Sequence, residues 1–258
     1  MIRKYIENNT EIDGIPISQV EKYNICVKLS GGADSSIIYY ALCYDYKDDP
    51  NVQIIPVTIG TDEKWWYPEG ARNVIKVVGE LTGKYPPEHI VIENIKHTEP
   101  NYVEAQCTAE EQAIKKYNIH EELLFSGLTN NPNIKNMRSY FKSNSSKLGL
   151  DKIKALEGID RRDPTRDPNG TWSLMGGKKY QISGPTALKR NTQFTDKLGT
   201  ASWYKHYNVM DTLYPHTFSC EAPGDVTDPK DFLPGDPHVH CNYCFFCLER
   251  YFAFGRIV

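Results

Sequence analysis

Two short strings hold side chains whose types and spacing suit chemistry: SGGADSS at Ser30–Ser36 and CNYCFFC at Cys241–Cys247. In the first, Gly31 and Gly32 let the backbone approach an anion closely and take positive φ without a Cβ clash. Ser30, Ser35 and Ser36 add hydroxyl donors, and Asp34 adds a carboxylate. The string follows the apolar run Ile25, Cys26, Val27, Leu29 and precedes IIYYALCYDY, so it joins a buried strand to a helix. A glycine turn at a helix N-terminus aims free N–H groups and the positive end of the dipole at one spot, which makes an anion cradle. The string lacks GxxxxGK followed by Ser or Thr, so it is not a Walker A loop. The same residues also suit a plain strand-to-helix turn in which Asp34 and Ser35 cap the helix.

Cys241, Cys244 and Cys247 form a CxxCxxC run, with Cys220 upstream after a spacer of 20 residues. Tight Cys-x-x-Cys turns hold thiolates on one side of a loop at distances suiting a tetrahedral ion, and Cys220 supplies a fourth soft ligand. Ligand type and spacing favour zinc. An iron–sulfur cluster and inert or disulfide-paired cysteines are the alternatives, and His238 or His240 is an alternative fourth ligand. Cys26 and Cys43 lie in apolar runs and read as core, whereas Cys107 has no assignment.

The elements that must position these residues follow from the rest of the chain. Its 258 residues, 40% hydrophobic and 24% charged, suffice for one large α/β domain over 1–258. There is no apolar leader segment at MIRKYIENNTEIDG and no run long enough to span a membrane. With seven cysteines outside a secretory context, a reducing cytoplasm is the expected location. The net charge of −3 conceals a block at 133–193 with 13 Lys and Arg against 5 Asp and Glu. That block suits a solvated insertion or lid, or an electropositive face for phosphates or a polynucleotide.

Residues 1–22 read as a short helix or arm with a turn at Asp13–Gly14. Val52–Ile59 is a second buried strand ending in Gly60-Thr-Asp62, and its exit places Thr58, Gly60 and Asp62 near the crevice. Trp65, Trp66 and Tyr67 suit either a base stack or buried packing. Pro68–Gly83 is an amphipathic helix, His89–Ile95 a third strand and Ala109–Tyr117 a helix. Glu121–Leu128 is a fourth strand with its exit at Gly127, followed by two amides at Asn130 and Asn131. The alternation fails from 133 to 177 apart from one helix over Lys147–Leu156. A short strand at Lys179–Ile182 and a helix over Asp196–Tyr207 come next, and 219–258 forms the metal-binding end. Alternating strands and helices imply an α/β, doubly wound, mostly parallel sheet.

SGGADSS resembles the SGGxDS signature of the PP-loop ATP pyrophosphatases, and its pairing with Cys…CxxCxxC and Leu-x-Arg resembles 7-cyano-7-deazaguanine synthase. The resemblance implies ATP and Mg2+ at Ser30, Gly31, Gly32, Asp34 and Ser35, and zinc at Cys220, Cys241, Cys244 and Cys247. Ser36, Thr58 and Gly127 are further expected ATP contacts by their place at the loop and the strand exits. It implies catalytic roles for Asp34 and for Lys197, which stands where the family has a Thr-Lys pair. It further implies adenylation of a carboxylate such as 7-carboxy-7-deazaguanine, reaction with ammonia, small-molecule partners and a homodimer. The family's Tyr-Ser-Gly-Tyr-Pro-Asp-Cys-Arg loop, its Asp-Tyr-Gly-Gln and an acid after the lysine are absent here. The acceptor part therefore does not carry over with the ATP and zinc parts. Rival readings are a tRNA-modifying sulfurtransferase or ligase, a sulfonucleotide reductase, and a noncatalytic nucleotide-binding module.

Overall fold

A computed structural model of the chain describes residues 4–7, 10–13, 23–119, 124–127, 129–162, 196–221 and 240–257. At the N-terminus, β1 (Lys4–Glu7) and β2 (Thr10–Asp13) form an antiparallel pair, with Glu7 opposite Thr10. Over these described residues the expected helix or arm is a strand pair. Tyr5, Ile6 and Ile12 are residue types that favour strands.

The central sheet holds β3 (Tyr23–Lys28), β4 (Val52–Thr61), β5 (Ile90–Ile95) and β6 (Leu124–Ser126) in the order β5-β4-β3-β6. Every pairing in it is parallel. Side-chain alternation along β3 divides the core. Ile25, Val27 and Leu29 face α1 (Ala33–Asp45) and α2 (Trp66–Thr82), while Cys26 joins Ile55, Val57 and Leu124 under α3 (Glu99–Tyr117). Helices thus cover both faces, the doubly wound α/β arrangement. The strand order reverses beside β3, and the crevice beyond the carboxyl ends of β3 and β6 is the switch point.

Helix α1 is buried nearly all round, because α6 (Lys197–His206) and α7 (Phe245–Phe254) cover the side away from the sheet with Tyr204 and Phe254. α3 begins ten residues earlier than its periodicity predicts. Thr98 caps it by accepting the Asn101 N–H, and Pro100 occupies the first turn.

The largest correction falls after the fourth strand. In place of one helix over Lys147–Leu156 there are two, α4 (Ile134–Asn144) and α5 (Lys152–Asp160). Asn133 and Asp151 cap them, and Gly149 at φ 70° turns the chain between them. Met137, Phe141, Ala155 and Ile159 pack on Phe245 and Leu248 of α7. Gly158 sits so close that a Cβ there would lie 2.1 Å from the Tyr243 carbonyl oxygen. The strand expected at Lys179–Ile182 and the 163–193 part of the basic segment lie outside the described residues.

Between β4 and the lead into β5, the Thr58 hydroxyl donates to the Leu29 carbonyl at 2.5 Å and lies 2.7 Å from His89 Nε2. With its oxygen donating to Leu29, Thr58 accepts from an Nε2–H of the neutral ring. Burial, with a smaller contribution from Arg72, lowers the His89 pKa from 6.5 to about 4. The folded state therefore resists protonation that the unfolded chain accepts. Stability should be full above about pH 6.5 and fall as the pH drops through 4. His89→Gln should flatten that slope in denaturation curves taken across this window, and an unchanged slope would remove His89 from the acid sensitivity.

Candidate nucleotide loop and four-cysteine centre

The chain leaves β3 at Lys28 and turns through Ser30, Gly31 and Gly32 into α1. Gly31 has φ +77°, and a Cβ there would stand 2.5 Å from the Gly70 carbonyl carbon. Its side-chain position is thus taken by α2, which crosses the loop at Gly70. Gly32 is extended at φ −74°, so of the two glycines only Gly31 uses the left-handed region. Gly127, the residue after β6, would put a Cβ 2.4 Å from the Ser35 nitrogen. Only glycine lets the exit of β6 rest against the first turn of α1. Ser30, Gly31, Gly32, Asp34, Ser35 and Gly127 consequently gather where β3 and β6 end.

Helix α1 has no side-chain cap of its own, since Gly32 holds the cap position. The Gly32 N–H donates to Ser30 Oγ at 3.4 Å, and the Ala33 N–H donates to Ser219 Oγ at 3.2 Å. Ser35 Oγ accepts from the Ser30 N–H at 3.2 Å and donates to the Gly32 carbonyl at 3.3 Å. Two further expected contributors have buried hydroxyls. Ser36 is buried within α1, its hydroxyl without a hydrogen-bond partner among the described residues. Thr58 spends its hydroxyl inside the sheet.

Asp34 is the centre of the polar contacts. Lys197 Nζ pairs with Oδ2, the Thr200 hydroxyl donates to Oδ1 at 2.7 Å, and the Thr129 hydroxyl donates to Oδ2 at 3.4 Å. Lys197 is 1% exposed. Its helix starts cleanly because Asp196 accepts from the Leu198 N–H at 2.9 Å and the Gly199 N–H at 3.3 Å. Lys197 and Thr200 are one turn apart and so reach the same partner. Neither Thr200 nor Thr129 stands out in the sequence, although Thr200 could have been found from its i+3 relation to Lys197. Asn130, one of the two amides after the fourth strand, has a buried side-chain oxygen with no hydrogen-bond partner among the described residues.

The four cysteines converge as their spacing predicts, with all Sγ atoms of Cys220, Cys241, Cys244 and Cys247 within 4.8 Å of one another. Cys241 and Cys247 are 4.0 Å apart, and Cys220 and Cys244 are 3.9 Å apart. Four sulfurs at about 2.3 Å from one tetrahedral ion stand about 3.8 Å apart, so the set fits a single metal ion. Backbone N–H groups donate to three of the sulfurs: Cys241 to Cys220 at 3.3 Å, Cys244 to Cys241 at 3.3 Å, and Cys247 to Cys244 at 3.4 Å. Such donors favour thiolates. Cys220 belongs to the group, while His240 stands outside it with Nδ1 3.8 Å from Cys247 Sγ. His238 is outside the described residues, as is most of the spacer.

Trp66 is buried edge-on against Phe218 with ring centres 6.3 Å apart, so of the two expectations for this aromatic run it follows packing. On α4, α5 and the turn between them, Lys135, Lys142, Lys147, Lys152 and Lys154 are exposed, whereas Arg138 is paired with Asp160. Among the described residues no helix is long and apolar enough to cross a membrane.

No protein-family model matches the chain, and no curated protein does. Among solved structures it is similar to the U34-tRNA thiolase NcsA from Methanococcus maripaludis with its 4Fe-4S cluster, at 18% identity and a TM-score of 0.32. The match covers 57% of this chain and 51% of that one, about half its length. Function must therefore be read from the site itself.

Lys197→Ala would take the ammonium partner from the Asp34 carboxylate, whose side chain is 15% exposed. Breaking one side of such a buried pair should cost about 3–5 kcal/mol, and removing both charges in Asp34→Asn/Lys197→Met should recover most of it. Denaturant unfolding of the single and double variants checks this, and a Lys197→Ala protein as stable as the parent would refute it.

Proposed function

We propose that the chain is a PP-loop ATP pyrophosphatase that adenylates its acceptor, cleaving ATP to AMP and pyrophosphate. The observation that carries this reading is the Ser30–Gly32 loop at the switch point, with Lys197 brought onto Asp34 from the far side of α1. A carboxylate is a poor electrophile until one oxygen becomes part of a leaving group. In our reading its oxygen attacks the α-phosphorus, and the bond to the β-phosphate oxygen breaks. Pyrophosphate leaves with the electron pair beside the loop amides. Ammonia then displaces AMP to give an amide, and 7-carboxy-7-deazaguanine is the acid of first choice. A second adenylation, on the amide oxygen, lets that oxygen depart with AMP and gives the nitrile with release of protons.

Positioning and charge neutralisation carry this chemistry. Lys197 has three N–H donors and among the described residues gives one to Asp34, which leaves two for phosphate oxygens. Asp34 already accepts from Lys197, Thr200 and Thr129, which supports an orienting role over direct ligation of Mg2+. Mg2+, bound with ATP, would neutralise phosphate charge. The sulfur spacing supports one zinc ion over an iron–sulfur cluster, whose thiolates sit on separate irons and stand further apart.

One observation favours a second reading. α4 follows directly on the Thr129–Pro132 turn, and with α5 it presents exposed lysines, which suits phosphate neutralisation on an RNA whose base is adenylated. Incubation with ATP and Mg2+ separates the two. AMP and pyrophosphate formed only with 7-carboxy-7-deazaguanine and ammonia support the first reading. Turnover only with tRNA, lost at raised salt, supports the second, and no turnover with either overturns both. Metal analysis should give one zinc per chain, and a brown sample containing iron and sulfide would end the zinc assignment.

A further inference from the structure

The first turn of α1 takes its cap from the other end of the chain. Gly32 has nothing to cap with, and the hydroxyl that satisfies the Ala33 N–H belongs to Ser219, 186 residues away. The adjacent Phe218 N–H donates to the Gly31 carbonyl at 2.8 Å. Residues 218–219 therefore hold the nucleotide loop by two hydrogen bonds, one to each side of the Gly31–Gly32 turn. The next residue is Cys220, a member of the four-sulfur group.

Ser219 has a second fixed neighbour. Arg250 is fully buried in α7, one turn after Cys247. Its Nη1 donates to Thr217 Oγ1 at 2.9 Å and lies within reach of Ser219 Oγ at 3.4 Å. Its Nε and Nη2 hold the Ile257 carbonyl, and its guanidinium lies 4.3 Å above the Tyr214 ring. A hydroxyl accepts twice and donates once. With Ala33 and Arg250 taking the two acceptor places, the Ser219 O–H has no acceptor among the described residues and is left to donate to an anion in the loop. A Cβ at Gly32 would lie 3.2 Å from Ser219 Oγ, which measures how closely this hydroxyl approaches the turn.

We infer that Ser219 is a positioning residue that couples the four-cysteine centre to the nucleotide loop. This rests on the reading of that loop as the ATP site. When a metal fixes Cys220, it fixes the residue beside it, and through Ser219 it fixes the donor geometry that a phosphate meets. Coupling of two binding sites is reciprocal, so bound ATP must tighten the metal by the factor that the metal tightens ATP. A single cap hydrogen bond sets the scale at about tenfold.

The test measures zinc affinity by competition with a chromogenic chelator, with and without ATP, at Mg2+ in excess so that ATP does not itself take the zinc. Calorimetry on the zinc-loaded protein reports ATP binding separately. In the parent protein ATP should raise zinc affinity about tenfold. The effect should vanish in Ser219→Ala and return in Ser219→Thr, with zinc bound in all three. ATP binding with no change in zinc affinity in the parent overturns the coupling and leaves the ATP site standing. Equal coupling in Ser219→Ala overturns the role of Ser219, and absence of ATP binding in the parent overturns the loop reading and the coupling with it.

Discussion

Asp34 and Lys197 are both charged, and both lie where water scarcely reaches. Desolvating two such groups costs more than a poorly aligned pair returns, so the contact persists only with good geometry and further donors. Thr200 and Thr129 supply those donors. The pair also settles how the chain closes. α1 carries the carboxylate, α6 the ammonium, and the exit of β6 the Thr129 hydroxyl, so three elements remote in sequence meet at one carboxyl group. The site is therefore a property of the assembled sheet and its covering helices, and no single segment could form it.

Around that contact the glycines have separate tasks. Gly31 is demanded by the crossing of α2 and by its positive φ, and Gly127 by the approach of β6 to α1. Gly32 leaves room for Ser219. A turn that looks like a phosphate cradle is also a packing junction, and substitutions there would disturb sheet and helix before any ligand arrives.

The C-terminal segment closes the other side. Its four thiols fit one ion, and Arg250, a turn beyond the last of them, ties Thr217, Ser219 and the Ile257 carbonyl together. The buried guanidinium is tolerable because each contact either accepts a hydrogen bond or offers an aromatic face. α4 and α5 pack on the outer side of the same helix and leave their lysines to solvent.

Much of this was legible in residue order because it depends on local spacing. The alternating strands, the SGGADSS turn, the thiol run and the helix after Asp196 are all set by neighbours a few positions apart. The earlier start of α3 and the α4–α5 pair were also written locally, in Thr98, Asn133 and Asp151, but polar composition masked those caps. What the sequence could not convey was which side chains are spent on packing and which face the site. Thr58 and Ser36 look like ligands, yet Thr58 bonds the Leu29 carbonyl and Ser36 has no hydrogen-bond partner among the described residues, whereas the ordinary-looking Thr200 and Thr129 bond Asp34 and Ser219 bonds the Ala33 N–H. Such contacts span 95 to 186 residues, and a hydrogen bond depends on distance in space, which only the packed sheet and helices decide.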